Sequence, residues 1–270
     1  MMRVTVLMDN HTDIDVYYLG EPAVSYWIEA DGKSFLFDLG YSSAFLKNAK
    51  DMAIDVTKAD GVILSHGHND HTGGLVSFID ICHGNKPKVI CHPHTLISRN
   101  FNGLPIGSPL DKETLQQHLI LFETKEPYWL TENLVFLGEV PRELSFEKPY
   151  PIGTLEAKEG DSPDMILDDT ALAYSTEQGI YIITGCSHAG ICNIIEYAKK
   201  VLGKEKVLGI LGGFHLFDID KRTEETISYI AKEQVQSLYP CHCTSFRVRA
   251  ALDQQCPVEE VGVGLVLNWE

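Results

Sequence analysis

Long apolar runs are missing from this sequence. None reaches the roughly 18 residues that a membrane-spanning helix needs, so no such span is expected. Cations are scarce as well: 22 Lys and Arg stand against 38 Asp and Glu, a formal net charge of −16. That balance counts against nucleic acid or an anionic membrane as a main partner, because both are held by clustered Lys and Arg. A bound divalent ion would reverse the local sign, so an anionic small-molecule substrate stays compatible. Paired C-x-x-C spacing is also absent. The seven cysteines, at 82, 91, 186, 192, 241, 243 and 256, are odd in number and far apart. The opening Met1-Met2-Arg3-Val4-Thr5-Val6-Leu7-Met8-Asp9 alternates like a strand and lacks the apolar core of a signal peptide. Reduced thiols and a soluble cytoplasmic protein are therefore expected. No short-period repeat is visible. What remains is ordinary globular usage, 44% hydrophobic and 22% charged over 270 residues, enough to bury a substantial core as one large domain or two small ones.

Along the chain, residues 3–9, 23–29 and 34–37 read as strands, the third delivering Asp38 at its end. The polar stretch 10–22, with Tyr17-Tyr18, reads as a flexible loop. Residues 42–52 have helical spacing, with Phe45, Leu46 and Ala49 on one face and Ser42 or Ser43 as the cap. A strand over 61–65, a loop and a helix from Thr72 to about Cys82 make a β-loop-α unit, and 87–91 is the next strand. From 92 to 164 the pattern weakens under eight prolines; 119–122 and 134–137 read as strands within it, and the whole is expected to be an irregular, pocket-forming segment. Residues 170–174 and 179–184 form a hairpin. Helices follow over 190–202, 223–233 (capped by Thr223) and 246–252, with strands over 207–211, 235–239 and 264–267.

The densest chemistry lies in Ser65-His66-Gly67-His68-Asn69-Asp70-His71-Thr72-Gly73-Gly74, directly after the strand-like Gly61-Val62-Ile63-Leu64. Three imidazoles and one carboxylate within six residues are ligand types suited to zinc, iron or manganese. Gly67 allows a sharp turn, so that His66 and His68 can converge on one point. Asp70 and His71 come next, and a second ion about 3.5–4 Å from the first would suit a two-metal site. Gly73-Gly74 lets the backbone pass close to the ions. The loop supplies at most four ligands, so a two-metal site needs more from elsewhere; His188 and His242, each after an apolar strand, are the candidates.

His-x-His-x-Asp-His is the signature of the metallo-β-lactamase superfamily, and this sequence resembles that superfamily beyond the signature. Phe37-Asp38-Leu39-Gly40 precedes it; Thr184-Gly185-Cys186-Ser187-His188-Ala189-Gly190, Gly212-Gly213-Phe214-His215-Leu216 and Cys241-His242-Cys243-Thr244 follow. The set is similar to the branch of dihydropterin-ribofuranosylaminobenzene-phosphate synthase-like metal-dependent hydrolases. The resemblance implies an α/β fold, an αββα four-layer sandwich of two mixed sheets, with residues 1–270 as a single domain. It implies that His66, His68 and His188 hold one ion, and Asp70, His71 and His242 a second, Zn2+ first and Mn2+ or Fe as alternatives. The bridging Asp usual in the superfamily is missing. His215 stands in that region, to replace the bridge, bind one ion or hydrogen-bond substrate; the loss of a carboxylate would lower the negative charge around the ions and weaken occupancy of the second site.

Asp38 is expected to accept a hydrogen bond from a ligand histidine and fix its orientation. Asp168-Asp169 either approaches the metals or forms a solvated turn. Arg142 and Arg247 are candidates for gripping an anionic substrate group, with surface ion pairs as the plainer reading. Cys186, Cys241 and Cys243 read as small buried residues beside the ligand histidines, and His83, His92, His94 and His118 as ordinary core or surface histidines. The chemistry expected is hydrolysis: a metal-bound water loses its proton near neutral pH and attacks an ester, phosphoester or related bond, with Asp70 orienting it or passing on the proton. The substrate is small, pterin-like or anionic. The alternatives are a metal-assisted transferase condensing a pterin with an aryl-ribosyl phosphate, di-iron redox chemistry, or a non-enzymatic pterin-binding protein. A homo-oligomer is compatible with the sequence.

Overall fold

A computed structural model describes residues 1–82, 86–157 and 160–270; His83 and part of the irregular segment, residues 158 and 159, lie outside the described residues. The chain forms two compact units. The first comprises Met1–Lys125, Tyr150–Asp168 and Gly262–Trp269, the second Glu126–Pro149, Asp169–Val261 and Glu270.

The first unit is built on a seven-stranded mixed sheet in the order Val266–Trp269, Met2–Met8, Ser25–Ala30, Lys33–Phe37, Gly61–Ile63, Lys88–Cys91, Ile120–Glu123. Its first four strands are antiparallel neighbours, and from Lys33–Phe37 onward the pairing is parallel. The inner parallel strands Gly61–Ile63 and Lys88–Cys91 are short and largely buried, as a sheet covered on both faces requires, while the edge strand Ile120–Glu123 stays partly exposed. Leu36, Phe45, Val62, Leu75, Phe78, Val89 and Leu115 gather in its core. The second unit has a six-stranded mixed sheet ordered Ser237–Pro240, Val207–Gly212, Ile180–Thr184, Ala171–Ser175, Leu134–Phe136, Tyr128–Trp129. The first three of these run parallel to one another, and the remaining pairings are antiparallel. The helix Ile191–Leu202 packs on this sheet. It buries Ile191, Ile194, Ile195 and Ala198, one face at helical spacing, and stops at Gly203 in the left-handed region that ends helices.

Several boundaries differ from the sequence reading. Thr72 does not start a helix: the short helix Asn69–Thr72 begins earlier, and the Thr72 hydroxyl donates back to His68 O at 2.9 Å. The next helix, Leu75–Ile81, is separate, because the Gly74 N–H goes to Gly40 O instead of continuing the ladder. The cap of Lys221–Glu233 is Asp220, whose carboxylate accepts the Thr223 N–H at 2.8 Å; Thr223 itself lies inside the helix. The last strand is Val266–Trp269, in register with Met2–Met8.

The segment 92–164 is more regular than its prolines suggest. It holds the helix Lys112–His118, capped by Asp111, and a four-stranded sheet ordered Gly160–Pro163, Thr154–Ala157, Ser98–Phe101, Leu104–Pro105. These strands carry little sequence signal because they are only two to four residues long and largely solvent-facing, with Leu104–Pro105 and Gly160–Pro163 exposed at every position, so no apolar alternation marks them.

Candidate metal centre

In each unit the histidines of interest sit where parallel strands end, the edge at which α/β sheets present ligand-binding loops. In the first unit Lys33–Phe37 runs into Asp38, and Gly61–Ile63 into the loop that starts at Ser65. Asp38 adopts φ 55°, a left-handed conformation that a short acidic side chain tolerates. Its buried carboxylate accepts the Ser65 N–H, the Ser65 hydroxyl and His71 Nδ1, each at 2.7 Å. With Nδ1 committed to a carboxylate, His71 presents Nε2, which stands 3.5 Å from Asp70 Oδ2. His66 Nε2 and His68 Nδ1 are 3.0 Å apart, and the His66 and His71 ring centroids 4.2 Å.

These distances suit a divalent ion. Two ligands of one tetrahedral zinc, at bonds of about 2.0–2.1 Å, stand about 3.3 Å from each other. Burial, and then the charge of Arg99, lower the pKa of His68 to about 4, which leaves the imidazole neutral with a lone pair to offer. For His71 burial acts in the same sense but is outweighed by Asp70 and Asp38, which hold its proton well above the usual range. A cation between His71 Nε2 and Asp70 Oδ2 would take that proton's place.

The glycines of the loop serve a purpose other than a turn. Gly67 does not have positive φ. A Cβ there would lie 1.7 Å from Arg99 Nη1 and 2.0 Å from Thr95 O, so glycine is required by close approach. At Gly74 a Cβ would meet Leu39 O at 2.1 Å, the backbone just beyond Asp38.

In the second unit three adjacent parallel strands end in turn at a histidine loop: Ile180–Thr184 before His188, Val207–Gly212 before His215, Ser237–Pro240 before His242. Ser187, His215 and His242 all have left-handed backbones, φ 58°, 48° and 50°. Such strain persists only where surroundings enforce it, and it clusters at functional sites. Here the enforcement is visible. Ser187 Oγ donates to Gly213 O at 2.7 Å, Thr244 Oγ1 accepts the Phe214 N–H at 2.9 Å, and Cys243 Sγ accepts the His215 N–H at 3.3 Å. The His188 and His215 rings lie 4.2 Å apart, centroid to centroid, with Phe217 edge-on to His215 at 4.9 Å. Cys186 Sγ and a ring nitrogen of His242 lie within 4.8 Å of each other.

Asp168 and Asp169 form no solvated turn; both are fully buried. Asp168 pairs with Arg99 and accepts the Gly67 N–H at 2.8 Å, while Asp169 accepts the Ala189 N–H, beside His188, at 2.8 Å. Arg142 is half-buried and Arg247 is exposed in the first turn of Phe246–Asp253. Two residues escaped the sequence reading. Arg99 is buried beneath the loop, and Glu147, also buried, accepts the N–H groups of Cys192 and Asn193 where the helix Ile191–Leu202 begins. Neither carries a sequence signal: both stand singly in polar surroundings. Among the described residues no helix is long and apolar enough to cross a membrane.

An α/β fold of mixed sheets, with histidine and aspartate loops at the ends of its parallel strands, defines a class, and the comparison with known families agrees: the profile of the metallo-beta-lactamase superfamily matches residues 19–199, and the chain belongs to that superfamily. Within it, the chain is 31% identical over 264 residues to the 7,8-dihydropterin-6-methyl-4-(beta-D-ribofuranosyl)-aminobenzene-5'-phosphate synthase of Methanocaldococcus jannaschii, covering 91% of this chain and 88% of that one. It is 33% identical over 254 residues to an uncharacterized protein of the same organism, covering 93% and 94%. The crystal structure of Tm1679, a metal-dependent hydrolase of the beta-lactamase superfamily, matches with a TM-score of 0.86 at 26% identity, over 100% of this chain and 99% of that one. The α/β class with mixed sheets expected from sequence is thus the observed one.

Proposed function

We propose that this protein is a metal-dependent hydrolase acting on an ester, phosphoester or related bond of a small anionic or pterin-like molecule. The observation that carries the reading is the pairing of donor atoms in the loop, with His71 aimed by Asp38 and 3.5 Å from Asp70. By family resemblance His66, His68 and His188 serve as ligands of one ion, and Asp70, His71 and His242 of a second, with Zn2+ the first choice. A divalent ion bound there supplies Lewis acidity, polarising the bond under attack and making a coordinated water acidic.

The chain's own residues do the rest. Asp38 holds the His71 tautomer that leaves Nε2 free of its proton once an ion binds. The Asp70 side chain is 22% exposed, whereas Asp38 and His71 are wholly enclosed; it is the carboxylate of the loop that can orient water or take up a proton. His215, whose ring lies beside that of His188, is assigned to replace the missing bridge, to bind one ion or to hydrogen-bond substrate. Arg142 and Arg247 are assigned to an anionic group of the substrate.

Group transfer is a second reading, favoured by the relative that is 31% identical and is named a synthase. The test uses the zinc-loaded protein, aryl phosphate and phosphodiester substrates and 18O-labelled water. Hydrolysis places the label in the product; transfer, with an aryl-ribosyl phosphate and a dihydropterin bearing a leaving group supplied together, yields an unlabelled adduct and the released leaving group. In both readings His68→Ala keeps its fold but loses bound metal and turnover. Full turnover by that variant, or by chelated protein, overturns both.

A further inference from the structure

The guanidinium of Arg99 lies fully buried against Gly67, in the space a side chain would take there. Burying one cation in this way is costly unless it is paired and fully hydrogen-bonded. Arg99 is paired with two carboxylates and donates from each of its nitrogens: Nε to Asp164 Oδ2 at 2.7 Å, Nη2 to Asp168 Oδ1 at 2.6 Å and to His94 O at 3.4 Å, and Nη1 to Thr95 O at 3.2 Å. The chain that supplies the carboxylates bends tightly to do so. Ile166, a β-branched residue, is forced to φ 49°, and its N–H is tied to Asp164 Oδ1 at 2.8 Å. The bend leaves Asp168 with one oxygen to spare. That oxygen, Oδ2, accepts the N–H of Gly67, the residue between His66 and His68.

Resting on the metal-binding reading above, we propose that Asp168, anchored by Arg99, is a positioning residue that fixes the Gly67 peptide and so sets the spacing of the His66 and His68 ligand nitrogens. The carboxylate is suited to this task. An ionised acceptor makes the stronger hydrogen bond to an N–H, and the Arg99 pair prevents the carboxylate from rotating away. Asp164 neutralises the guanidinium and shapes the bend, with no bond to the ligand loop. The two carboxylates on one guanidinium therefore have separable roles.

The experiment measures Zn2+ affinity of the full chain by competition with a chromophoric chelator, and the visible spectrum of the Co2+-substituted protein, for wild type, Asp168→Asn, Asp164→Asn and Arg99→Lys. Thermal unfolding without metal reports folding. Asp168→Asn is expected to weaken zinc binding about tenfold or more, the range found when groups that hold ligands in place are lost, and to shift the Co2+ spectrum. Asp164→Asn is expected to melt earlier yet keep near wild-type affinity and spectrum. Should Asp168→Asn fail to fold, Arg99→Lys carries the test, because a single ammonium cannot bridge both carboxylates in the geometry of the guanidinium fork and Asp168 loses its anchor. A wild type that binds neither ion would sink the metal reading, and this inference with it. Metal binding by the wild type together with unchanged affinity and spectrum in Asp168→Asn, or equal losses in Asp164→Asn and Asp168→Asn, overturns the inference alone. In the Arg99→Lys arm, wild-type affinity does so.

Discussion

Asp38→Asn isolates one physical effect, the tautomer of a ligand histidine, with little else disturbed. Asn is as tolerant as Asp of the φ of 55° at this position, and its volume is the same. The amide oxygen can still accept the Ser65 N–H now bound at 2.7 Å, but its NH2 must then face His71 Nδ1, also now at 2.7 Å. Two donors cannot face each other, so Nδ1 gives up its proton to become the acceptor, and the one proton left on the ring stays at Nε2, the nitrogen turned toward Asp70. A protonated Nε2 has no lone pair for a metal. Loss of a charge-assisted bond costs about 1.5–3 kcal/mol in stability. At about 2–4 °C per kcal/mol in a chain near this size, the metal-free melting temperature drops by roughly 3–12 °C. Metal affinity falls about 10–100-fold, or about 1.4–2.7 kcal/mol, because the ion must first restore the unfavoured tautomer. Chelator competition reads the affinity and differential scanning calorimetry in EDTA the stability. Unchanged zinc affinity in a folded Asp38→Asn protein would refute the tautomer argument, and equal losses of stability with and without metal would show that Asp38 acts on folding alone.

Gly67→Ala places a methyl group 1.7 Å from Arg99 Nη1 and 2.0 Å from Thr95 O in a site with no room to relax; a loss above about 3 kcal/mol is expected, since overpacking costs about 1–3 kcal/mol even without breaking an ion pair, and a urea midpoint matching wild type would contradict it. Glu147→Gln tests a buried carboxylate whose pKa burial raises above 4.5, against the lowering effect of the Cys192 and Asn193 N–H groups. Because the unfolded chain ionises first as pH rises, the contribution of Glu147 to stability is greatest below pH 4.5 and declines from there up to the raised folded value. The stability difference between wild type and Glu147→Gln is therefore expected to shrink with rising pH in denaturant titrations at pH 4 to 7, and a difference that widens would be contrary to that sign.

Much of this protein was legible without coordinates because its signals are local. The His66-to-His71 cluster, the buried runs over Gly61–Ile63 and Val207–Gly212, and the helical face of Ile191, Ile194 and Ile195 are each written within a few residues, where spacing alone settles geometry. Gly67 shows where that logic stops. Its need for glycine is set by Arg99, and Arg99 is tolerable in the interior only because Asp164 and Asp168, 65 and 69 residues further on, meet its guanidinium. Asp168-Asp169 likewise stays open in sequence between approaching the metals and a solvated turn, because burial of a carboxylate depends on partners that arrive from elsewhere in the chain. Residue type and spacing determined the class of fold and the donor types gathered in the loop. Which charges could be buried beneath it was decided by tertiary structure alone, since an ion loses its water favourably only when distant donors and acceptors are already in place.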